Sequence, residues 1–304
     1  MPPLIASLIL MLAFAAGAAP AQEDYDSGRA TYLAGNHAAA LAILEPLARS
    51  GHAGARNILA DAYDEGNGVE KDHQRALELY QAAAAQGFAR ASYNLGVLLS
   101  EGRPGIPADI AQAIVHYEEA MARDYPAAFN NRGVLHAMGQ GGPVDPQAAV
   151  AMYRRAHELG DLNGTDNLAD MLRRGEGIEQ DVQAALALWQ GGAERGHAPS
   201  VLNLGAMYAN GIGVAEDPAA AYALYLLAAQ GGVLQAGRNL FAIHADLESP
   251  HHDGETALAW CLWALDRAPE AQQGEIEQEC KATQATLSPE SAERARMRAR
   301  RLTR

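Results

Sequence analysis

Three groups of residues in this sequence have types and spacings that could do chemistry. The densest runs from His244 to Asp253, where His244, His251 and His252 stand among Asp246, Glu248 and Asp253. Imidazoles and carboxylates this close in sequence could hold zinc or copper. The spacing follows no established ligand pattern, however, and a polar loop explains it equally, so neither a metal nor a cofactor is assigned. The second group is Cys261 and Cys280, the only two cysteines. In an oxidising compartment such a pair on adjacent segments forms a bridge, and closing the short loop contributes about 3 kcal/mol. In a reducing compartment both would be small buried hydrophobes. The third group is His116, His136 and His157, none with a Ser or Cys partner at a motif spacing. No Ser-x-x-Lys motif and no Gly-x-Ser-x-Gly elbow occurs. Paired glycines such as Gly66 and Gly68 lack the preceding strand and the lysine of a phosphate loop. The chain reads as a non-enzyme.

The elements that position these residues are helices. Of the 304 residues 49% are hydrophobic and only 6% aromatic, with alanine supplying much of the apolar count. Alanine is the strongest helix former, and stretches alternating Val, Ile and Thr are nearly absent. The formal charge is −14, and the last thirteen residues hold six arginines against one glutamate. The body before Ala292 therefore carries a balance of −19. Nucleic acid needs a basic stripe, so an acidic body argues against it. The terminal arginines (Arg294, Arg296, Arg298, Arg300, Arg301, Arg304) suit either a solvated helix or contact with anionic membrane or glycan. At the other end, Leu4 to Ala18 is uncharged and followed by Ala19-Pro20-Ala21, a small-x-small signature, then by Gln22-Glu23-Asp24. This reads as a secretory signal peptide over residues 1–21, cleaved between Ala21 and Gln22, although Met1-Pro2-Pro3 lacks the usual basic residue. An exported protein follows, periplasmic in preference to extracellular, with no transmembrane anchor once the signal is removed.

Between the ends the chain repeats itself. Leu59-Ala60, Leu95-Gly96, Arg132-Gly133, Leu168-Ala169, Leu204-Gly205 and Leu240-Phe241 recur at spacings of 36, 37, 36, 36 and 36 residues. A glycine follows in five copies (Gly66, Gly102, Gly139, Gly175, Gly211), then an aspartate in six (Asp72, Asp109, Asp145, Asp181, Asp217, Asp253). Four residues on comes alanine, and four beyond that an aromatic: Tyr80, Tyr117, Tyr153, Trp189 or Tyr225, with Cys261 in the last copy. Each unit predicts two antiparallel helices. The glycine stops the first helix in the left-handed conformation, and the aspartate caps the second. The aromatic is expected to fill the groove against the next unit, and Asn94, Asn131, Asn167, Asn203 and Asn239 to hydrogen-bond the inter-helix turn.

The motif resembles the Sel-1-like repeat, a relative of tetratricopeptide repeats, and is nearly complete from Ser200 to Tyr225. Residues 22–268 are assigned to the solenoid: a partial unit near 27–54, then 55–90, 91–127, 128–163, 164–199, 200–235 and 236–268. Residues 269–304 are assigned to C-terminal capping helices. Two places depart from the pattern. Leu247 replaces the loop glycine, and the turn Gly102-Arg103-Pro104-Gly105 carries one extra residue. The resemblance implies an all-α right-handed superhelix of six to seven antiparallel helix pairs, acting as an adaptor for proteins or peptides. Some cysteine-rich exported members have been linked to penicillin binding, which raises an alternative activity on cell-wall peptides or lactams. Those relatives carry a cysteine pair in each repeat, unlike this chain.

Residues that recur in every unit build the solenoid, so specificity belongs where units differ on the first helices. In tetratricopeptide-like units the concave face there comes from Asn57, Asp61, Asp64 and Glu65, then Arg90, Tyr93, Ser100 and Glu101. Asn130, Ala137 and Met138 follow, then Asp166, Asp170, Arg173 and Arg174. This predicts an acidic start and a doubly basic patch farther on. The acidic excess favours a basic protein or peptide partner through steering.

Overall fold

The computed structural model describes residues 21–302, and all regular structure among them is helical. The stretch read as a signal peptide lies outside the described residues except for Ala21, which with Gln22 opens the first helix, α1, over residues 21–33. The chain then forms α2 (His37–Arg49), α3 (Ala53–Glu65), α4 (His73–Ala84), α5 (Ala89–Glu101), α6 (Ile110–Met121), α7 (Pro126–Met138) and α8 (Pro146–Glu158). These lie in one compact unit that ends at Asp161. A second unit starts at Leu162 and contains α9 (Leu162–Arg174), α10 (Val182–Glu194), α11 (Ala198–Asn210), α12 (Pro218–Gln230), α13 (Leu234–Ala245), α14 (Gly254–Arg267), α15 (Glu270–Ala285) and α16 (Pro289–Leu302).

Within each unit the helices pack as consecutive pairs, α3 on α4, α5 on α6 and α7 on α8, then α9 on α10, α11 on α12 and α13 on α14. The repeated residues explain why. Gly66 and Gly211 end their helices with φ of 78° and 61°, a left-handed conformation that a Cβ would strain. The second helix then starts on its aspartate. Asp72, Asp145, Asp181 and Asp217 each accept from the backbone N–H three residues on, at 2.9 Å. A cap of this kind contributes about 1 kcal/mol. The alanines that follow (Ala76, Ala113, Ala149, Ala185, Ala257) are fully buried and let the paired helices approach.

The aromatics pack differently from the sequence expectation. Tyr117 and Tyr153 lie on Gly96 and Gly133 of their own pair, where an added Cβ would come within 2.7 Å and 2.6 Å of the ring. Only their far ends reach the next pair, as where Asn131 Nδ2 donates to Tyr117 Oη at 3.3 Å. The recurrent asparagines are corrected by the same observation. Asn94 and Asn131 tie their helix to the preceding pair's side chains and do not hold the turn. A side chain just before the Leu position faces the neighbouring pair, and the glycine that opens the loop lies eight residues on, about two helical turns away.

At the C-terminal end α15 and α16 both pack on α14. Buried Trp260, Cys261, Trp263, Ile276, Cys280, Ala292 and Ala295 make a denser core there than the alanine-rich repeats provide. No helix among the described residues is long and apolar enough to cross a membrane.

Candidate functional site: an acidic, tyrosine-lined face

The first unit gathers the acidic residues as expected and adds partners that the sequence did not reveal. Asp61, Asp64 and Glu65 project from the last turns of α3 into a cavity of about 210 Å³ shared with Tyr80, Arg90, Asn94 and Arg103. Asp61 forms its floor. It accepts from Tyr80 Oη at 2.7 Å, from Asn94 Nδ2 at 2.9 Å and from Asn57 Nδ2 at 3.2 Å. Burial pushes its carboxyl from the ordinary 3.8 up to about 6, against the opposing pull of the Tyr80 hydrogen bond and the Arg90 charge. Asp64 is clamped by the Arg103 guanidinium at 3.1 Å and by His73 Nδ1 at 2.8 Å.

Arg103 owes its place to the irregular turn after α5. There Arg103 and Ile106 exchange two backbone hydrogen bonds at 2.8 Å, and this small bridge aims the guanidinium back at α3. The extra residue in that turn was the signal for it. Arg90 is exposed and forms no ion pair among the described residues. Beside it Tyr93 stacks at a tilt on Tyr125, with centroids 5.0 Å apart, and lies 6.1 Å from Tyr117. Burial raises the Tyr93 hydroxyl to about 12, so it stays a neutral donor. Asp61 and Arg90 both act electrostatically on the hydroxyls of Tyr25 and Tyr125, which gather on the same face. The tyrosine contribution was missed because Tyr25 and Tyr125 lie outside the first-helix positions considered.

Three of the expected groove residues lie inside the packing. Asn57, Asn130 and Asp166 are 1%, 8% and 8% exposed. Two positions before the Leu, a side chain meets the following pair, so it serves the interface between repeats. In the second unit this creates a buried latch. Ser200 Oγ donates to Asp166 Oδ1 at 2.5 Å, and His197 Nδ1 lies 3.0 Å from Ser200 Oγ and 3.3 Å from Asp166 Oδ2. One ring nitrogen faces both partners, whereas a nucleophile relay uses the two nitrogens separately. The expected basic patch is also neutralised, because Arg173 and Arg174 pair with Asp170 at 2.8 Å and 2.7 Å, and Arg174 with Glu176 at 3.1 Å.

The remaining chemistry resolves similarly. Both His244 nitrogens are committed, Nδ1 to the His251 carbonyl at 2.6 Å and Nε2 to Tyr222 Oη at 3.0 Å. His251 stacks on Tyr222, and His252 Nδ1 faces the His244 carbonyl at 3.1 Å. Among the described residues no group of three or more His, Cys, Asp or Glu is arranged to hold a metal ion. Cys261 and Cys280 are at disulfide distance, with Cα atoms 5.5 Å apart. Arg294, Arg296 and Arg298 reach across to neighbouring elements, to Glu255 at 3.0 Å, to the Gln284 side-chain oxygen at 3.0 Å and to Asp253 at 3.3 Å. Half of the terminal arginines thus fasten α16 in place.

Stacked helix pairs, capped by aspartate and stopped by glycine, with a variable first-helix face, define an α/α solenoid of interaction repeats. The chain belongs to the Sel1 repeat family, whose repeat matches residues 53–88, 89–125, 126–161, 166–197 and 198–233. Members of that family are generally protein-interaction scaffolds. The fold is similar to that of a Sel1 repeat protein from Oxalobacter formigenes, at 30% identity and a TM-score of 0.70, over 80% of this chain and all of that one. It is also similar to a protective antigen of uropathogenic Escherichia coli with an SLR fold, at 24% identity and a TM-score of 0.58, over 95% of this chain and 62% of that one. Among curated proteins, 74 residues (24% of this chain) are 38% identical to an ERAD-associated E3 ubiquitin-protein ligase component, HRD3A, of Arabidopsis thaliana. A further 29% identity over 126 residues, 37% of this chain, links it to an exopolysaccharide production negative regulator of Rhizobium leguminosarum. The matches span 11% and 47% of those two relatives.

Proposed function

We propose that this chain is an exported scaffold that binds a basic peptide segment of a partner protein on the acidic, tyrosine-lined face of its first unit. The observation that carries the reading is the convergence of Asp61, Asp64 and Glu65 with Tyr80 in one cavity, with Tyr125 of the Tyr93–Tyr125 stack within electrostatic reach of Asp61. Carboxylates steer a cationic side chain inward, and partly buried tyrosine rings hold it by cation–π contact. Arg90 at the edge would pair with an acidic residue or a free carboxylate flanking the basic one.

A fluorescent lysine-rich peptide, titrated by anisotropy against the full chain, tests this. The wild type should bind it, and a glutamate-rich peptide of equal length should not bind. Glu65→Lys, an exposed position, should weaken binding about tenfold or more, a loss of about 1.4 kcal/mol, and so should raised salt. Equal binding of both peptides, or an unaffected Glu65→Lys variant, would sink the proposal.

Export is supported by the apolar, uncharged run before Ala19 and by Cys261 and Cys280 lying at disulfide distance. Thiol titration of unreduced protein from the periplasm, unfolded in denaturant, should find no free thiol. Reduction should lower stability by about 3 kcal/mol for a loop of this length. Two free thiols would overturn the bridge and remove one of the supports for export.

A further inference from the structure

A second cavity opens away from the acidic face, on the other side of α3. It holds about 380 Å³ between α2, α3 and α4, and no feature discussed so far uses it. Its floor is apolar, made of Leu59 and Leu79 with the ring of Tyr63. Around it stand Arg49 from α2, Arg56 from α3 and Arg75 from α4.

The repeats provide their own control on these arginines. The positions equivalent to Arg56 hold Ser92, Phe129, Thr165, Val201 and Gly237. Those equivalent to Arg75 hold Gln112, Ala148, Ala184, Ala220 and Thr256, and those equivalent to Arg49 hold Ala85, Ala122, Glu158, Glu194 and Gln230. No later copy places a basic residue at any of the three. The solenoid therefore does not need them, yet all three meet at one cavity.

Their partners differ. Arg49 pairs with Glu45 at 3.0 Å and Arg75 with Glu78 at 2.9 Å, both at the solvent edge. Arg56 donates from Nε to the Ala48 carbonyl at 3.0 Å, and its guanidinium meets no carboxylate among the described residues. That bond fixes the planar fork at the cavity, with its outer N–H groups unspent. A fixed guanidinium over an apolar floor recognises a planar anion with an apolar body.

The geometry points to this cavity as a binding site for a small amphipathic carboxylate, its acid group on Arg56 and its apolar body on Leu59, Tyr63 and Leu79. Arg49 and Arg75 attract the acid, and Glu45 and Glu78 limit the pocket to a single negative charge. The site stands apart from the peptide-binding reading, because the residues lining the two cavities do not overlap.

Calorimetric titration of the full chain with 4-phenylbutyrate, 4-phenylbutanol and inorganic phosphate tests it. The carboxylate should bind saturably, below about 10 mM, with the alcohol and phosphate each about tenfold weaker or worse. Arg56→Gln should cost about tenfold in carboxylate affinity. Arg49→Glu, at a side chain 76% exposed whose change leaves folding intact, should also weaken it. Glu65→Lys should leave it unchanged, which separates failure here from failure of the peptide reading. No saturable carboxylate binding, equal binding of alcohol or phosphate, or full affinity in Arg49→Glu would overturn the assignment.

Discussion

Trp263→Ala should lower the unfolding free energy by about 3–5 kcal/mol, the range for removing a fully enclosed indole. Trp263 is 1% exposed, and its ring lies so close to Gly237 that an added Cβ there would sit 2.4 Å from it. Trp260 meets it edge-on at 5.7 Å, and the Arg267 guanidinium covers it at 4.3 Å. An arginine so placed contributes a cation–π contact as well as cover. The other repeats bury mainly alanine and leucine, with one tyrosine or Trp189 each, whereas here two tryptophans share one core. The cavity left by the truncation would lie where α13, α14 and the capping helices share one core, and rigid neighbours cannot collapse into it. Urea denaturation reads the effect as a lower midpoint with an unchanged slope. A loss below about 1 kcal/mol would mean that the indole is not a keystone of this end.

The second large effect concerns pH. Asp61 titrates near 6 in the folded chain against an ordinary 3.8, so between these values the folded state holds more protons than the unfolded one. Stability contributed by this group is then greatest below about pH 4 and falls as pH rises to about 6. The whole step amounts to about 3 kcal/mol. Asp61→Asn removes the step. Its Oδ1 still accepts from Tyr80 and Asn94, and Asn57 can turn its amide to face the new one at the cost of one weak hydrogen bond. The variant should therefore be more stable than wild type at pH 7, by about 1–2 kcal/mol after that loss, and less sensitive to pH between 4 and 6. Asp166 is also raised, by burial that outweighs the Ser200 hydrogen bond and the His197 charge, and it contributes with the same sign. The difference between variant and wild type isolates Asp61. Equal pH slopes in the two would refute the assignment. A gain in stability on removing this charge would also mark the carboxylate as one kept for binding and not for folding.

The repeat was legible from the chain because it is written in local signals. Glycine at a left-handed position, aspartate at an N-cap and alanine at a close helix crossing each act within a few residues, and six copies in register turned weak preferences into one architecture. The acidic residues of α3 were legible for the same reason, since residues three and four apart share a helix face. Tertiary structure decided what those charges meet. Whether Asp64 faces solvent or Arg103, and whether Asp166 lines a groove or closes a latch on Ser200, depends on where the neighbouring pair lies. Arg173 and Arg174 instead meet Asp170 within their own helix, three and four residues away, a pairing that the sequence spacing already offers. The terminal arginines again depend on tertiary structure: along the chain they are a basic run, and in the folded protein Arg294 and Arg298 are matched to Glu255 and Asp253, about forty residues away. Backbone conformation follows from short-range sterics that a sequence displays, whereas a side chain's charge environment is set by distances across space between segments that the sequence keeps apart.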